Sequence, residues 1–430
     1  MNPAYDVIVV GAGAAGLIAA GRAAELGGRV LLVEKNARAG RKLLLTGKGR
    51  CNITNTAPIE EFIQHIHPDG RFLQHAFERF FSEDIVRLLN QHGCATVVER
   101  GGRVFPVSNK SADVLDALMR WMMRHPVEIG YGQRVEELIL ENGQLAGLRI
   151  RSKTGSRSVR ARAVILCTGG MSYPATGSTG DGYRLAVAAG HAIETPRPAL
   201  VPLETAGNLA RRLQGLNLKN VRAEVWVNGR KSKDAFGEMS VTDSGLSGPI
   251  ILTMSRFIVD ELLKNSRIEI SVDLKPALHE AKLDARLVRD LTEYGGLRLD
   301  ALCRKWLPAP LVPVLLDQTS IQRSKPGQQL TSEERRKILL WMKDVRFTIT
   351  GFRPFKEAII TAGGVSSSGI DPRSMESRLI PQLYFAGELI DLDADTGGFN
   401  LQIAFSTAWL AAEACMQARH DGRAVPADAA

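Results

Sequence analysis

The chain has 430 residues, of which 44% are hydrophobic and 23% charged, and this globular composition excludes a disordered or fibrous protein. At about 150 residues per domain, the length predicts two or three domains. Lys and Arg outnumber Asp and Glu by 55 to 46, and the net charge of +9 favours anionic partners without choosing among phosphates, acidic ligands and nucleic acid.

The chain begins with the pattern of a βαβ unit. Residues 5–10 and 30–34 are buried-type strands, and residues 14–26 between them are rich in Ala and Leu, as in a helix. The turn after the first strand reads G-A-G-A-A-G. This spacing is typical of a dinucleotide site, in which the helix N-terminus offers free N–H groups to a pyrophosphate. Its candidate cofactor-binding residues are Gly11, Gly13, Ala14, Ala15 and Gly16.

The second strand ends on an acidic residue, Glu34, which follows Gly16 by eighteen residues. From this position a carboxylate accepts hydrogen bonds from ribose hydroxyls. Because a carboxylate repels a 2′-phosphate, the site favours FAD or NAD over NADP.

A second glycine-rich segment, residues 40–52, combines glycines with cations. It does not fit a Walker A loop, because six residues separate Gly40 from Gly47 and a glycine stands where that motif needs Ser or Thr. The segment is therefore either a basic surface loop or a loop that follows the ribityl chain and ring of a flavin. The candidate cofactor-binding residues in and just before it are Lys35, Gly40, Arg41, Lys42, Gly49, Arg50, Cys51 and Asn52.

The middle of the chain alternates between helical and strand-like segments. Residues 60–91 and 112–124 are mostly helical, and residues 136–161 predict a small antiparallel meander with a hairpin turn at Asn142 and Gly143. Composition changes at residues 195–198, which contain two prolines. We expect a domain boundary there.

Three blocks of this sequence resemble one known family. The segment GRKLLLTGKGRCNITN, residues 40–55, is similar to that of the BaiN-type bacterial NAD(P)/FAD-dependent oxidoreductases, and residues 169–182 and 384–402 extend the resemblance. These proteins are flavoproteins, and one branch is associated with reducing a carbon–carbon double bond in oxidised bile acids. The family is distantly similar to the flavoprotein subunits of succinate dehydrogenase and fumarate reductase.

The resemblance implies further contacts with FAD. In the wider group the aspartate of a T-G-D-G motif and a late Gly-Glu pair contact the cofactor, and a helix N-terminus lies near the pyrimidine edge of the flavin. That N-terminus stabilises negative charge on the reduced ring. The matching residues of this chain, together with those expected beside the adenine and at the second nucleotide-side turn, are Val135, Thr168, Gly169, Asp181, Gly387, Glu388, Gly398, Asn400 and Leu401.

The expected fold class is α/β, with a Rossmann-like FAD-binding domain that an inserted domain splits in two. The FAD would be bound non-covalently, because residues 41–52 contain no histidine for covalent attachment. The expected parts are the FAD-binding domain at 1–194 and 346–420, a β-rich insertion at 195–275, its helical continuation at 276–345, and a flexible tail at 421–430.

The expected function is an oxidoreductase in which NADH or NADPH reduces FAD and flavin N5 passes a hydride to an activated C=C bond or a similar small-molecule acceptor. No catalytic acid or base stands out. Ser172 and Tyr173 are the candidates, and packing within the loop is the alternative role for both.

The alternative function is an FAD protein that acts on RNA, such as a tRNA-modifying enzyme. Six cations and no acid lie between residues 149 and 162, and this cluster is either a solvated face or a nucleic-acid contact. It contains no aromatic side chain, so stacking on bases finds no support. The cations are Arg149, Arg151, Lys153, Arg157, Arg160 and Arg162.

Metal and membrane sites are not expected. His65 and His67 are two residues apart and do not share a helix face, and the five cysteines lack the spacing of a zinc site. No stretch reaches the roughly eighteen apolar residues of a membrane span, so we expect a cytoplasmic protein.

Overall fold

A computed structural model of the chain describes residues 4–420. Contacts divide it into two units, the first formed by residues up to 197 together with those from 359 onward, and the second by residues 198–358. The tail predicted at 421–430 lies outside the described residues.

The first unit is built on a parallel sheet. Its central strands are almost entirely buried and β-branched, which is typical of a sheet covered on both faces. The parallel strands are, in spatial order, Val127–Tyr131, Val30–Glu34, Tyr5–Val10, Gly155–Leu166 and Leu383–Phe385.

The long strand Gly155–Leu166 changes partners along its length. Its second half pairs with Tyr5–Val10 in the parallel sheet, whereas its first half pairs antiparallel with Gln144–Ser152. Arg134–Glu141 pairs next to Gln144–Ser152. The predicted meander is therefore an extension of the main sheet.

Helices and small sheets complete the first unit. Its α-helices are Ala14–Glu25, Ile59–Gln64, Gln74–Arg79, Ser82–Gln91, Ser111–Met122, Asp181–Ala188 and Phe399–His420. The small sheets pair Thr54–Asn55 and Thr96–Glu99 with Arg103–Pro106, Ile66–His67 with Asp393–Ala394, and Ile193–Ala199 with Ile360–Val365. The 3-10 turns are Leu43–Gly49, Gly70–Leu73, Pro174–Thr176, Ser367–Gly369 and Gly387–Leu389.

The second unit is a closed antiparallel barrel with helices. Its strands alternate buried and exposed residues, so the inward side chains fill a separate core. The strands, in order around the barrel, are Leu203–Thr205, Gly245–Ser247, Arg230–Val241, Asn217–Val227, Ile268–Asp273 and Val345–Phe352. The helices are Leu209–Arg212, Pro249–Leu263, Glu280–Tyr294, Leu299–Leu302, Leu311–Thr319 and Ser332–Lys343, with 3-10 turns at Cys303–Lys305 and Gly327–Gln329.

The boundary after the insertion differs from the one expected at residue 346. Val345–Phe352 closes the barrel, because it pairs with Ile268–Asp273 on one side and with Leu203–Thr205 on the other. The first unit therefore resumes at residue 359. The local sequence of Val345–Phe352 would suit a strand of the main sheet equally well. Only its pairing partners assign it to the barrel of the second unit.

Within residues 4–420, no helix has both the length and the apolar character needed to cross a membrane.

Candidate functional site

The three glycines of the first glycine-rich turn are of two kinds, two without space for a side chain and one with open space beside it. A Cβ at Gly16 would lie 1.7 Å from the carbonyl oxygen of Gly11, and a Cβ at Gly11 would lie 2.6 Å from that of Cys167. Both glycines are thus required by the packing of the protein itself. A Cβ at Gly13 would have no neighbour within 4 Å. The backbone at Gly13 is open to a ligand, as the dinucleotide motif requires.

Glu34 lies buried at the end of its strand and is held by N–H groups. Its Oε2 accepts from the backbone N–H of Ala12 at 2.8 Å, and its Oε1 accepts from the backbone and side-chain nitrogens of Asn36 at 2.8 and 2.7 Å. These bonds fix the carboxylate beside the first turn. Each oxygen keeps acceptor capacity for a ribose hydroxyl.

Residues 47–51 form a tight left-handed path. Gly47, Lys48, Gly49 and Cys51 all have positive φ, between 57° and 86°. The side chain of Cys51 is fully buried, and burial raises the pKa of its thiol to about 12. At neutral pH this cysteine is a protonated, packed side chain.

The cations of this segment point in different directions. Arg41 donates to Oδ1 of Asn36 at 2.7 Å, next to Glu34. Arg50 instead pairs with Glu99 and lies over the ring of Phe105, with 4.1 Å from its Cζ to the ring centroid. The Arg50 side chain is therefore held by the small sheet, away from the first turn.

Lys42, Ser172 and Glu388 form one polar cluster. Nζ of Lys42 lies 2.5 Å from both Oγ of Ser172 and Oε2 of Glu388. Oγ of Ser172 donates to Oε1 of Glu388 at 2.9 Å, and the backbone N–H of Thr361 donates to the same oxygen at 2.9 Å. The cluster joins the first glycine-rich loops to the late Gly-Glu pair.

Asp181 is held between two cations. Its Oδ2 lies 2.7 Å from Nζ of Lys35, and its Oδ1 lies 2.5 Å from Nη2 of Arg134. Burial raises the pKa of Asp181, but the hydrogen bonds and charges of Lys35 and Arg134 outweigh it and hold that pKa below its usual value. The ion pair between Arg134 and Asp181 also helps to position Val135, which follows Arg134 in sequence and is buried.

The segment 387–400, which leads from the last strand of the main sheet to the last helix, is shaped by two glycines and an amide. Gly387 has a φ of 73°, and a Cβ at Gly398 would lie 2.3 Å from the carbonyl oxygen of Thr54. The side chain of Asn400 accepts from the N–H of Ala394 at 2.9 Å and donates to its carbonyl at 2.8 Å. The Asn400 side chain is therefore occupied, and the helix N-terminus at Asn400 and Leu401 offers its backbone N–H groups.

Two predicted cofactor contacts carry a buried oxygen without a hydrogen-bond partner within residues 4–420. These atoms are Oδ1 of Asn52 and Oγ1 of Thr168. A buried polar atom without a partner is destabilising, so these positions call for a ligand that supplies donors. FAD carries ribityl and ribose hydroxyls. Together with the open backbone at Gly13, these oxygens show that the residues present fit FAD.

Some of the remaining predicted residues lie close to the first turn, and others are packed side chains. Gly40 donates its N–H to the carbonyl of Ala12 at 2.8 Å, which brings the second glycine segment against the first turn. Gly169, three residues after the end of the sheet strand Gly155–Leu166, has a φ of 70°. Tyr173 has a φ of 51°, and burial raises the pKa of its phenol, as expected for a packed side chain. Ser172 is fully buried and committed to the Lys42 and Glu388 cluster.

Two residues of this site, Thr361 and Asn36, were not predicted from the sequence. Thr361 accepts from the N–H groups of Met171 and Ser172 at 2.8 and 3.0 Å, and so shapes the loop before Tyr173. A single threonine in a buried strand carries no sequence signal. Asn36 stands two residues after Glu34, and this proximity was the available signal.

The cations of the 149–162 hairpin are largely paired with acids. Arg149 pairs with Glu137 at 3.0 Å, Arg151 with Glu136 at 2.6 Å, and Arg160 with Glu141 at 2.7 Å. All three acids lie on the neighbouring strand Arg134–Glu141. Three of the six cations of the hairpin are thus paired across the sheet, on an exposed face.

His65 and His67 lie in different elements, and within residues 4–420 no group of three or more His, Cys, Asp or Glu side chains could hold a metal ion. His65 follows the helix Ile59–Gln64 and lies beside Asp395, whereas His67 belongs to the short strand paired with Asp393–Ala394.

Comparison with known proteins gives a family and relatives of the same length. A family model described as "HI0933-like protein Rossmann domain" matches residues 5–414. The chain is 30% identical over 415 residues to the 3-dehydro-bile acid delta(4,6)-reductase of Clostridium scindens, with 95% of this chain and 98% of that protein covered. It is 29% identical over 416 residues to the ribosomal RNA dihydrouridine synthase of Escherichia coli, with 96% and 99% covered.

Among solved structures, a quinol-fumarate reductase with menaquinol molecules has a TM-score of 0.53 at 17% identity, over 99% of this chain and 73% of that one. At this identity the likeness concerns the fold. It confirms the predicted Rossmann-like FAD-binding architecture with an insertion and the distant similarity to fumarate reductase flavoproteins. The chain belongs to the HI0933-like family of FAD-binding oxidoreductases, as the resemblance of its three sequence blocks predicted.

Proposed function

We propose that the protein is a reductase of carbon–carbon double bonds conjugated to a carbonyl group, with non-covalent FAD as cofactor and NADH or NADPH as reductant. The observation that carries the proposal is the likeness of the whole chain to two curated relatives. Both are named for the addition of hydrogen to a ring double bond, in a dehydro-bile acid and in uridine. A double bond polarised by a carbonyl is the acceptor common to both.

FAD, when bound, supplies the hydride chemistry. The chain supplies binding and electrostatics. The Gly13 backbone and Glu34 would hold the pyrophosphate and ribose, Thr168 and Asn52 would accept from hydroxyls, and Glu388 is held in place by Lys42. The N-terminus of the last helix is suited to stabilise negative charge at the flavin pyrimidine edge.

The experiment is an anaerobic titration of protein reconstituted with FAD. We expect NADH or NADPH to bleach the flavin, and a cyclic enone or a 4-en-3-one steroid to restore its colour. An isolated alkene of the same ring size is the matched control and should leave the flavin reduced. A protein that takes up no FAD, or a reduced flavin that no conjugated carbonyl compound reoxidises, would overturn the proposal.

A second candidate substrate is a uridine within RNA, and the distribution of charge favours it. Residues 198–358 hold 26 Lys and Arg against 19 Asp and Glu, which is most of the net charge of the chain. Three of these cations, Arg211, Lys219 and Arg230, are exposed and form no ion pair within the described residues. RNA binding depends on such unpaired cations.

A mobility-shift titration with a ribosomal RNA fragment tests this candidate. We expect binding at low salt that weakens when Arg211, Lys219 and Arg230 are replaced by Gln. Replacing Arg149, Arg151 and Arg160, which are already paired with acids, is the matched control and should change binding little. Absence of binding at low salt would eliminate the RNA substrate and leave the small-molecule one.

A further inference from the structure

His65 and Asp395 are joined by two hydrogen bonds, although 330 residues separate them. Nδ1 of His65 lies 2.9 Å from Oδ2 of Asp395, and the backbone N–H of Asp395 donates to the carbonyl of His65 at 3.1 Å. The imidazole also stacks on the ring of Phe399, with centroids 4.4 Å apart and 23° between the planes. The side chain of His65 is therefore fixed in orientation.

These contacts hold the turn that leads into the last helix. Asn400 binds the backbone of Ala394 and Asp395 from within the turn, and His65 binds Asp395 from the neighbouring segment. The backbone of Gly398, in the same turn, lies directly against Thr54. The part of the chain expected to meet the flavin pyrimidine edge is thus supported on one side by a titratable pair.

The charges that face His65 can be named. Asp395 provides the nearest carboxylate, Glu61 lies one helical turn earlier, and Nε2 of His67 is 3.9 Å from the other oxygen of Asp395. The hydrogen bond to Asp395 and the charges of Asp395 and Glu61 raise the pKa of His65, against the opposing effect of its burial. The surroundings of His65 therefore favour the protonated form of its imidazole.

We propose that His65 is a positioning residue which, through Asp395, sets the charge of the turn next to the flavin and so adjusts the reduction potential of bound FAD. This inference rests on FAD as the cofactor, and it is independent of the acceptor proposed above. With His65 protonated, the pair has no net charge. With His65 neutral, the negative charge of Asp395 remains and opposes the negative charge that the ring acquires on reduction.

The test is the midpoint potential of the FAD-loaded protein between about pH 5.5 and 8.5, measured anaerobically with reference dyes around the pKa of a histidine. The unaltered protein should show an additional inflection in the plot of potential against pH. His65→Asn keeps a donor for Asp395 but no titratable charge, so the inflection should disappear and the potential should be lower at the acidic end. His75→Asn, at an exposed histidine on another helix, is the matched control.

A second readout is the pKa of His65 itself, measured by NMR on the FAD-loaded protein. In Asp395→Asn the pKa of His65 should fall, because the hydrogen bond to the carboxylate and its charge are removed.

The inference is overturned if His65→Asn and the unaltered protein follow the same line of potential against pH, or if the chain binds no FAD. Because both measurements report on the flavin and the histidine alone, the absence of enone reduction would count against the proposed function and leave this result standing.

Discussion

The ammonium group of Lys42 lies 2.5 Å from the carboxylate of Glu388, and this contact links two segments that are 346 residues apart in sequence. Both side chains are about one-fifth exposed, so the pair is shielded from solvent without being fully buried. Ser172 and Thr361 supply the remaining donors to Glu388. The late Gly-Glu pair is thereby attached to the glycine-rich segment 40–52, which follows the second strand.

Replacing Lys42 by Met should weaken FAD binding about tenfold or more, because Glu388 would lose its cation and reorient. The measurement is a fluorescence titration of apoprotein with FAD. Lys337→Met, which breaks an exposed ion pair with Glu333 in the second unit, should leave the affinity unchanged. Equal affinities for the unaltered protein and Lys42→Met would refute the assigned role.

The first turn predicts opposite behaviour for two glycines. Gly16→Ala should lower the free energy of unfolding of the apoprotein by about 1–3 kcal/mol or more, because the new Cβ would overlap the carbonyl of Gly11. Gly13→Ala should change that free energy by less than about 0.5 kcal/mol and still weaken FAD binding, because its Cβ would project into the open space. Chemical unfolding and FAD titration of both variants separate the two effects. A Gly13→Ala protein with undiminished FAD affinity would place the pyrophosphate elsewhere.

Asp181 predicts a pH-dependent contribution to stability. Its pKa is lower in the folded than in the unfolded chain, so its contribution is present above the unfolded value of about 3.9 and is lost as the pH falls through the folded value. Asp181→Asn should therefore be less stable than the unaltered protein by about 1–2 kcal/mol at pH 7. The difference should be smaller at pH 3 than at pH 7. Denaturant unfolding at the two pH values measures it, with Glu333→Gln as an exposed control.

The cysteines predict resistance to alkylation. All five are buried, and burial raises the pKa of Cys51 to about 12. We expect native protein to incorporate no iodoacetamide at pH 8 and denatured protein to incorporate five equivalents, counted by mass spectrometry. Labelling of Cys51 in the native protein would instead indicate a reactive thiol within the proposed FAD-binding segment.

Much of the first unit follows from local sequence patterns. The βαβ segment and its three glycines are specified within about 30 residues, and the structure shows why Gly11 and Gly16 tolerate no side chain. Lys42, Ser172 and Glu388 were candidate site residues from the sequence, but Thr361 was not. Thr361 becomes their partner only because the fold brings segments that are distant in sequence together.

The arginine hairpin shows what a linear count of charges misses. The stretch 149–162 has no acid of its own, yet Glu137 stands directly opposite Arg149 in the strand pairing. The Asn142-Gly143 turn predicted from sequence sets the register of that pairing. Aligning the two strands across this turn would therefore have predicted the acids that pair with these arginines. The boundary at residue 346 offered no such signal, because barrel closure by Val345–Phe352 depends on strands more than 70 residues away.

The two strands Ile193–Ala199 and Ile360–Val365, at the points where the chain leaves the first unit and returns to it, are hydrogen-bonded neighbours. Their pairing holds the two ends of the intervening chain together, whatever the length of that chain. Since the entropic cost of a closed loop rises only slowly with its length, the segment between the ends can be enlarged, shortened or exchanged at little cost to the flavin-binding half. The first unit can therefore keep its fold while residues 198–358 change in length and sequence.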